Sequence, residues 1–276
     1  MNTPTGTQRE LFDKMANEKE RKLDFLKTLP QYQFFHEYNS KIRTSILELI
    51  GESCQTVLDA GCGDGDYSML VASNSKAKVV GVDSSKASVL VANKRRIEQG
   101  VRDATDFVVA DVARLPFRTG CFDLVLALAI FHHLADFRGL DEISRTMKSG
   151  SGALCHEVVI NNPFALAGNV GVRLLPKALR NQLLDVAEGK IPTVRLFTSF
   201  ALEEAIKKRG FTVVRVEREQ LFLFILWYVL AAFPSLTRLF PNRVLRAMGI
   251  IEEMLVSHSP TQSLCRFSRV LARNQS

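Results

Sequence analysis

The 276-residue chain is short of cysteine and of the larger aromatics, with five cysteines, four tyrosines and one tryptophan. Cys54, Cys62, Cys121, Cys155 and Cys265 are odd in number and scattered, and no two stand at metal-ligand spacing. That argues against a disulfide framework and against a zinc site, and makes a reducing, cytoplasmic compartment the expectation. No run of about 18 apolar residues occurs, so no membrane-spanning helix is expected. The polar, charged stretch up to Lys27 has no signal-peptide pattern. Repeats, low-complexity tracts and an obvious catalytic triad are absent too. Acid is scarce in one region only: residues 161–276 carry 8 Asp and Glu against 16 Lys and Arg, whereas residues 1–160 carry 21 against 20. The formal charge of +7 thus arises in the C-terminal part, where excess base suits nucleic acid, an anionic membrane surface or an acidic substrate. Apolar residues are plentiful at 46%, enough for the core of one domain of ordinary size with elaborations.

Residues Val57 to Gly65 read Val-Leu-Asp-Ala-Gly-Cys-Gly-Asp-Gly. Thr56 to Leu58 has the pattern of a short buried strand, and Tyr67 to Ala72 that of an amphipathic helix. Strand, glycine turn and helix form a nucleotide-binding crossover, because glycine admits positive φ and close approach of a ligand. A dinucleotide fingerprint would need its third glycine at position 66, which is Asp66; the spacing here is Gly-x-Gly-x-Gly. Three companions follow. Val79 to Asp83 is an apolar strand ending in an acid about 20 residues after the turn, where a carboxylate accepts ribose hydroxyls. Phe107 to Val112 is a third strand with an acid at its end, Asp111. Phe122 to Ala129 is a fourth, followed by Phe131-His132-His133-Leu134.

Led by Asp59, this spacing resembles motif I of the class I S-adenosylmethionine-dependent methyltransferases, of the small-molecule (quinone, lipid and natural-product) type. The companions stand in that family's order. The likeness covers Thr56 to Glu157, is weaker over Phe197 to Val216, and is absent elsewhere. It implies an α/β fold: a doubly wound, mostly parallel, seven-stranded Rossmann-like sheet with helical insertions. It also implies S-adenosyl-L-methionine as cofactor, no metal, and a cofactor site made of Asp59, Ala60, Gly61, Gly63, Asp83, Ser84, Asp111, Val112 and Leu128. In the resembled family the acid at Asp111 accepts from the adenine amino group and the next N–H, that of Val112, faces the ring. Arg43 is a candidate partner for the methionine carboxylate, its competing role being that of a solvated helix arginine.

Along the chain, residues 1–50 are expected to form a helical cap, with Ile42, Ile46, Leu47, Leu49 and Ile50 as an apolar stripe on the sheet. Residues 51–276 are the expected methyltransferase domain. Within it Asp141–Met147 is a helix, Lys148–Gly152 a turn and Ala153–Ile160 the fifth strand. Ser199–Arg209 is a helix stopped by Gly210, Phe211–Val216 the sixth strand and Ser263–Ala272 the seventh. Segments 161–198 and 220–262 fall outside the strand–helix alternation. They are expected to be insertions over the carboxyl ends of the strands, forming an acceptor pocket, with helix-like runs at Val172–Leu175 and Leu179–Val186.

Methyl transfer needs alignment of acceptor, methyl and sulfur and exclusion of water; a base is needed only when the acceptor must lose a proton. The candidates are His133 and His132, which follow the fourth strand and titrate near neutrality, and Glu157, on the fifth, to orient an acceptor. Asn161-Asn162-Pro163-Phe164 departs in position and in its single proline from the motif of amino-methylating nucleic-acid enzymes and reads as a turn. The thirteen apolar residues Leu221 to Phe233, flanked by arginines, suit a membrane interface, or else a lid, core or homodimer helix. Each of these points to a small hydrophobic acceptor more than to nucleic acid. The expected reaction is methyl transfer to a lipid, quinone or natural product. A cofactor-binding scaffold without catalysis and an RNA methyltransferase are the alternatives.

Overall fold

The computed structural model describes residues 28–29, 31–38, 40–134, 136–159, 176–177, 197–262 and 264–275. The expected helical runs at 172–175 and 179–186, and the Asn161–Phe164 turn, lie outside these. The described elements are α1 (Tyr32–Tyr38), α2 (Lys41–Leu49), β1 (Thr56–Ala60), α3 (Asp66–Asn74), β2 (Lys78–Asp83), α4 (Lys86–Glu98), β3 (Thr105–Val109), β4 (Phe122–Leu128), α5 (Arg138–Thr146) and β5 (Met147–Val158). They continue with α6 (Ser199–Lys207), β6 (Phe211–Glu219), α7 (Leu223–Ala232), α8 (Asn242–Ser257) and β7 (Phe267–Asn274). The seven strands form one sheet in the order β3-β2-β1-β4-β5-β7-β6. The β1/β2, β1/β4, β2/β3 and β4/β5 pairs are parallel, and β7 enters antiparallel to both β5 and β6.

The two faces follow from strand periodicity. On β1, Leu58 and Ala60 enter a core completed by Val125 and Ala127 of β4, Leu140 and Ile143 of α5, and Leu202 and Ile206 of α6. Val57 faces the other way, with Leu124, Leu126, Leu154, Val71 of α3, and Ile42 and Ile46 of α2. Both faces are covered, which is why the central strands are near-continuous apolar runs. Each fully buried leucine or isoleucine contributes about 1.5–3 kcal/mol. Of the stripe expected on α2, Ile42 and Ile46 are buried, while Leu47 is 40% exposed. The helices start where capping chemistry allows: Ser85 Oγ accepts from Ser88 N–H, and Thr198 Oγ1 from Ala201 N–H.

Three boundaries differ from expectation. The Lys148–Gly152 turn lies inside β5 as a bulge, four residues standing opposite Asp123 alone. Asp123 fills the gap by accepting from Lys148 Nζ at 2.7 Å and from Thr56 N–H at 2.9 Å, so an ion pair continues a ladder the backbone interrupts. β3 ends at Val109, so Asp111 lies beyond the strand. β7 begins at Phe267, later than Ser263.

Of the alternatives open for 221–233, the packing bears on the core helix. This run is the centre of a third core, with Leu223 and Leu230 of α7 buried against Phe35 of α1 and Leu245 of α8. Trp227 packs on Phe35 at 4.8 Å between ring centroids. Gln31 Nε2 donates to the carbonyls of Thr237 and Phe240. Much of the apolar surface of the run is thus covered by α1 and α8, with Ile225, Leu226, Trp227 and Val229 left half-buried. No helix among the described residues is long and apolar enough to cross a membrane.

Candidate cofactor and acceptor site

The turn after β1 is closed by backbone bonds. Gly61 and Cys62 N–H both donate to Val82 O, at 2.8 and 2.9 Å, which draws the ends of β1 and β2 together. Gly61, Gly63 and Gly65 all have positive φ, yet their surroundings differ. A Cβ on Gly65 would lie 2.7 Å from Phe107 Cζ, and one on Gly61 2.7 Å from Ile130 Cδ1. A Cβ on Gly63 would meet nothing within 4 Å. Gly65 thus makes room for a core ring, while Gly63 presents bare backbone to open space. Cys62 is buried, and its thiol is pushed well above its ordinary pKa by burial and by the Asp59, Asp83 and Asp64 carboxylates. It is an inert, small core residue.

Asp83, the last residue of β2, accepts from Gly63 N–H at 2.9 Å through Oδ2 and from Ser85 N–H at 2.8 Å through Oδ1. It ties the turn to the neighbouring strand, with Ser84 between. Asp59, beneath the turn, is buried and accepts from Ser68 Oγ at 2.7 Å. Burial raises its pKa to about 7, against the lowering effect of the Ser68 bond. Ala60 is fully buried beside it. Asp111 holds its own loop by accepting from Ala113 N–H at 2.9 Å, and Val112 is buried in the core. Leu128 ends β4. Arg43 pairs with Asp66 at 3.0 Å, and Arg95 pairs with Asp64 at 2.6 Å and Asp66 at 2.9 Å. The acids at the start of α3 are thereby neutralised, and Arg43 is anchored at the edge of the turn. Gly63, Asp83 and Asp111 follow β1, β2 and β3, beside the point where the strand order reverses between β1 and β4. Sheets of this kind bind ligands there, outside the carboxyl ends of the strands.

At the end of β4 the structure corrects one assignment. Glu157 is fully buried. Its Oε1 accepts from Ile130 N–H at 2.6 Å and Phe131 N–H at 2.7 Å, and its Oε2 meets His132 Nδ1 at 2.7 Å. It faces the α5 core and is enclosed there, out of reach of an acceptor; its work is to position the His132 loop. An acceptor oxygen on Nδ1 makes that nitrogen the protonated one, so Nε2 carries the lone pair. His133 is half-buried and lies 3.9 Å from His132 between ring centroids. The structure thus brings His132, His133 and Glu157 together as one loop and its anchor.

A polar row that the sequence did not reveal crosses β5, β7 and β6. His156 stands opposite Arg269, and Arg269 opposite Glu217. Arg269 is 7% exposed and pairs with Glu217 and, at 2.6 Å, Glu219. Burial and the Arg269 charge lower the His156 pKa to about 3; its ring stacks on Phe267 at 4.9 Å. A cavity of about 350 Å³ opens beyond this row, lined by Lys41, Glu217, Glu219, Glu252 and Glu253 among others. The only sequence signal was the alternation Glu217-Arg218-Glu219, and the antiparallel register that gives it meaning is non-local. Among the described residues no group of three or more His, Cys, Asp or Glu is placed to hold a metal ion.

Residues 57–150 match the family described as methyltransferase domain. Cycloartenol-C-24-methyltransferase of Arabidopsis thaliana is 27% identical over 229 residues, 72% of this chain and 64% of that protein. Ubiquinone biosynthesis O-methyltransferase of Marinobacter nauticus is 29% identical over 153 residues, 53% of this chain and 64% of that protein. The chain therefore spans less than two thirds of the length of these curated relatives. A solved structure of a geranyl diphosphate C-methyltransferase from Streptomyces coelicolor A3(2), in complex with Mg2+, geranyl diphosphate and S-adenosyl-L-homocysteine, superposes with a TM-score of 0.59 at 16% identity. It covers 88% of this chain and 84% of that one, a likeness of fold. Sheet order, glycine turn and strand-end acids define a Rossmann-like methyltransferase domain. Residues 57–150 of the chain carry a methyltransferase domain.

Proposed function

We propose that the protein transfers a methyl group from S-adenosylmethionine to a small hydrophobic acceptor. The observation that carries this is the side-chain-free Gly63 turn after β1, with Asp83 ending β2 and Asp111 following β3 beside it, next to the reversal of strand order. The residues fit the cofactor: a side chain at Gly63 would fill the cradle, and carboxylates suit ribose hydroxyls and an adenine amino group. Bound there, S-adenosylmethionine supplies a methyl group on a sulfonium, a strong leaving group.

This chain's residues then act by position. Asp83 accepts the ribose hydroxyls while keeping the glycine turn closed. Asp111 and the Val112 N–H would hold the adenine, and Arg43, now paired with Asp66, would meet the methionine carboxylate. Ala60 and Leu128 pack into the cores on opposite faces of the sheet, so only their backbone at the strand ends would border the site. Where the acceptor carries a proton, His133 or His132 Nε2 takes it, with Glu157 holding the loop in register. The relatives named for sterol and ubiquinone methylation support a lipophilic acceptor.

Asp83→Asn removes the charge and keeps only one of the two oxygens that accept from Gly63 and Ser85 N–H. Hydrogen bonds to charged groups contribute about 1.5–3 kcal/mol each, so calorimetry should register at least about a tenfold loss of S-adenosylmethionine affinity. Undiminished affinity would remove Asp83 from the site. With methyl-labelled cofactor and a pool of hydrophobic metabolites, label should enter organic-soluble product. Binding without transfer to any lipid, quinone, peptide or RNA pool would mark a scaffold, and label in RNA alone a nucleic-acid enzyme.

A further inference from the structure

Hydropathy singled out residues 221–233 as the apolar run flanked by arginines, but much of that surface is covered inside the protein. The apolar surface left over lies on the next helix. On the 16-residue α8, Val244 and Leu255 are each 38% exposed, Ile251 53%, and Ile250 and Met254 each 61%; Leu239, just before it, is 69% exposed. With Ala247 these helical residues fall within about 140° of arc at 3.6 residues per turn. The opposite face, through Leu245, Gly249 and Glu252, is buried. α8 is thus amphipathic in the inverted sense, with a buried seam and an apolar stripe turned outward.

The one charge within the stripe is basic. Arg243 lies within the arc, Arg246 about 40° outside it with Glu253 about 20° further round, and Arg238 beside Leu239; all three arginines are exposed. No carboxylate shares the arc: Glu252 is turned inward, where it accepts from the N–H groups of Leu221, Phe222 and Leu223, and Glu253 pairs with Lys41 at 2.9 Å. His258, at the C-terminal end, is bonded to Met254 O. This pattern selects among occupants. A second copy of the chain, meeting this face by two-fold symmetry, would bring like arginines together with no acid in the stripe to pair them. An anionic lipid surface takes up the apolar side chains between acyl chains and the guanidinium groups among headgroup phosphates.

We propose that α8 lies in the plane of an anionic bilayer surface, with Val244, Ile250, Ile251, Met254 and Leu255 inserted and Arg238, Arg243 and Arg246 on the headgroups. The insertion carrying α8 starts where β6 ends, at the carboxyl edge of the sheet, so docking turns that edge toward the membrane. A lipophilic acceptor would be met there; this last point rests on the proposed function, whereas docking does not.

The full-length protein should co-sediment with vesicles of 30% phosphatidylglycerol in phosphatidylcholine. Binding should fall at least tenfold with pure phosphatidylcholine, and likewise on raising sodium chloride from 50 to 500 mM, where screening is several times shorter-ranged. Arg243→Ala and Arg246→Ala should each weaken binding by about fivefold. Ile251→Glu with Met254→Glu should abolish it while leaving the thermal midpoint and S-adenosylmethionine affinity unchanged, since both side chains are exposed. Absence of vesicle binding by the wild type, equal binding to neutral vesicles, or undiminished binding by the double variant would each overturn the proposal. So would a wild-type dimer, by sedimentation equilibrium, that the double variant dissociates: the face would then belong to a second copy. None of these measurements uses methyl transfer, so their outcome is separable from that of the proposed activity.

Discussion

At the scale of single residues, two buried titratable groups pull in opposite directions with pH. Asp59 keeps a proton in the folded protein up to a pKa of about 7, while the unfolded chain releases it near the ordinary value of about 4. The folded state therefore holds more protons across that window. Its contribution to stability falls as pH rises from about 4 to about 7, by up to about 1.4 kcal/mol per pH unit, and levels off above. His156 behaves inversely: with its folded pKa lowered to about 3, stability falls as pH drops below about 6.5. Between about pH 4 and 6.5 the two slopes oppose each other, which flattens the profile. Asp59→Asn keeps a partner for Ser68 and removes one slope. Urea titrations at pH 4, 5.5, 7 and 8 should show the variant gaining on the wild type as pH rises to about 7. A constant difference across this range would mean that Asp59 titrates normally. The three glycines divide in the same residue-by-residue way: Gly65 yields space to Phe107 and Gly61 to Ile130, whereas a Cβ on Gly63 would stand in open space.

At the scale of elements, two helical starts are capped by glutamates from distant parts of the chain. Glu157 of β5 takes the N–H groups of Ile130 and Phe131 at the start of the His132 turn. Glu252 of α8 takes those of Leu221, Phe222 and Leu223 at the start of α7. Helical starts leave donors without intrahelical partners and favour negative charge, so one buried carboxylate answers both needs. Burial raises the Glu252 pKa, the three N–H groups acting against it. Glu252→Ala leaves buried donors unsatisfied, each costing about 1–3 kcal/mol. Amide exchange across Leu223–Ala232 should quicken at least a hundredfold, while exchange in β1 and β4 stays unchanged. Protection of α7 at the wild-type level would show that the apolar core alone holds it. Sequence reading placed Glu157 at the acceptor because it lies in the fifth strand, whose end was expected to reach the pocket. Alternation set it on the face opposite His156, and only the α5 packing made that face the interior.

At the scale of the whole molecule, the sheet depends on its last strand. β7 is slotted between β5 and β6, so among the described strands β6 joins the sheet through Phe267–Asn274 alone. The partners are far apart in sequence, His156 opposite Arg269, and such pairings form late because loop closure precedes them. Deleting residues 265–276 strips β5 and β6 of their shared neighbour. The truncated chain should lose its cooperative thermal transition and its near-ultraviolet circular dichroism. A sharp transition within a few degrees of the full-length chain would refute that dependence.

Local chemistry sufficed for the nucleotide-binding half. Thr56 to Asp83 is legible because strand, turn and helix are each specified by near neighbours: an apolar run, glycines at positive φ, a helical stripe. The strand-end acids Asp83 and Asp111 stand out for the same reason. Tertiary structure decided what depends on which surface meets which. Thirteen apolar residues at 221–233 advertise burial or membrane with equal force; the choice was made by Phe35 of α1 and Leu245 of α8, which cover them and leave the apolar stripe of α8 outward. The His156–Arg269–Glu217 row exists only through antiparallel register, and the Lys148–Gly152 turn became a bulge because Asp123 and Thr56 give it a place in the sheet. Hydropathy records how much surface a segment must hide, and the fold alone determines against what.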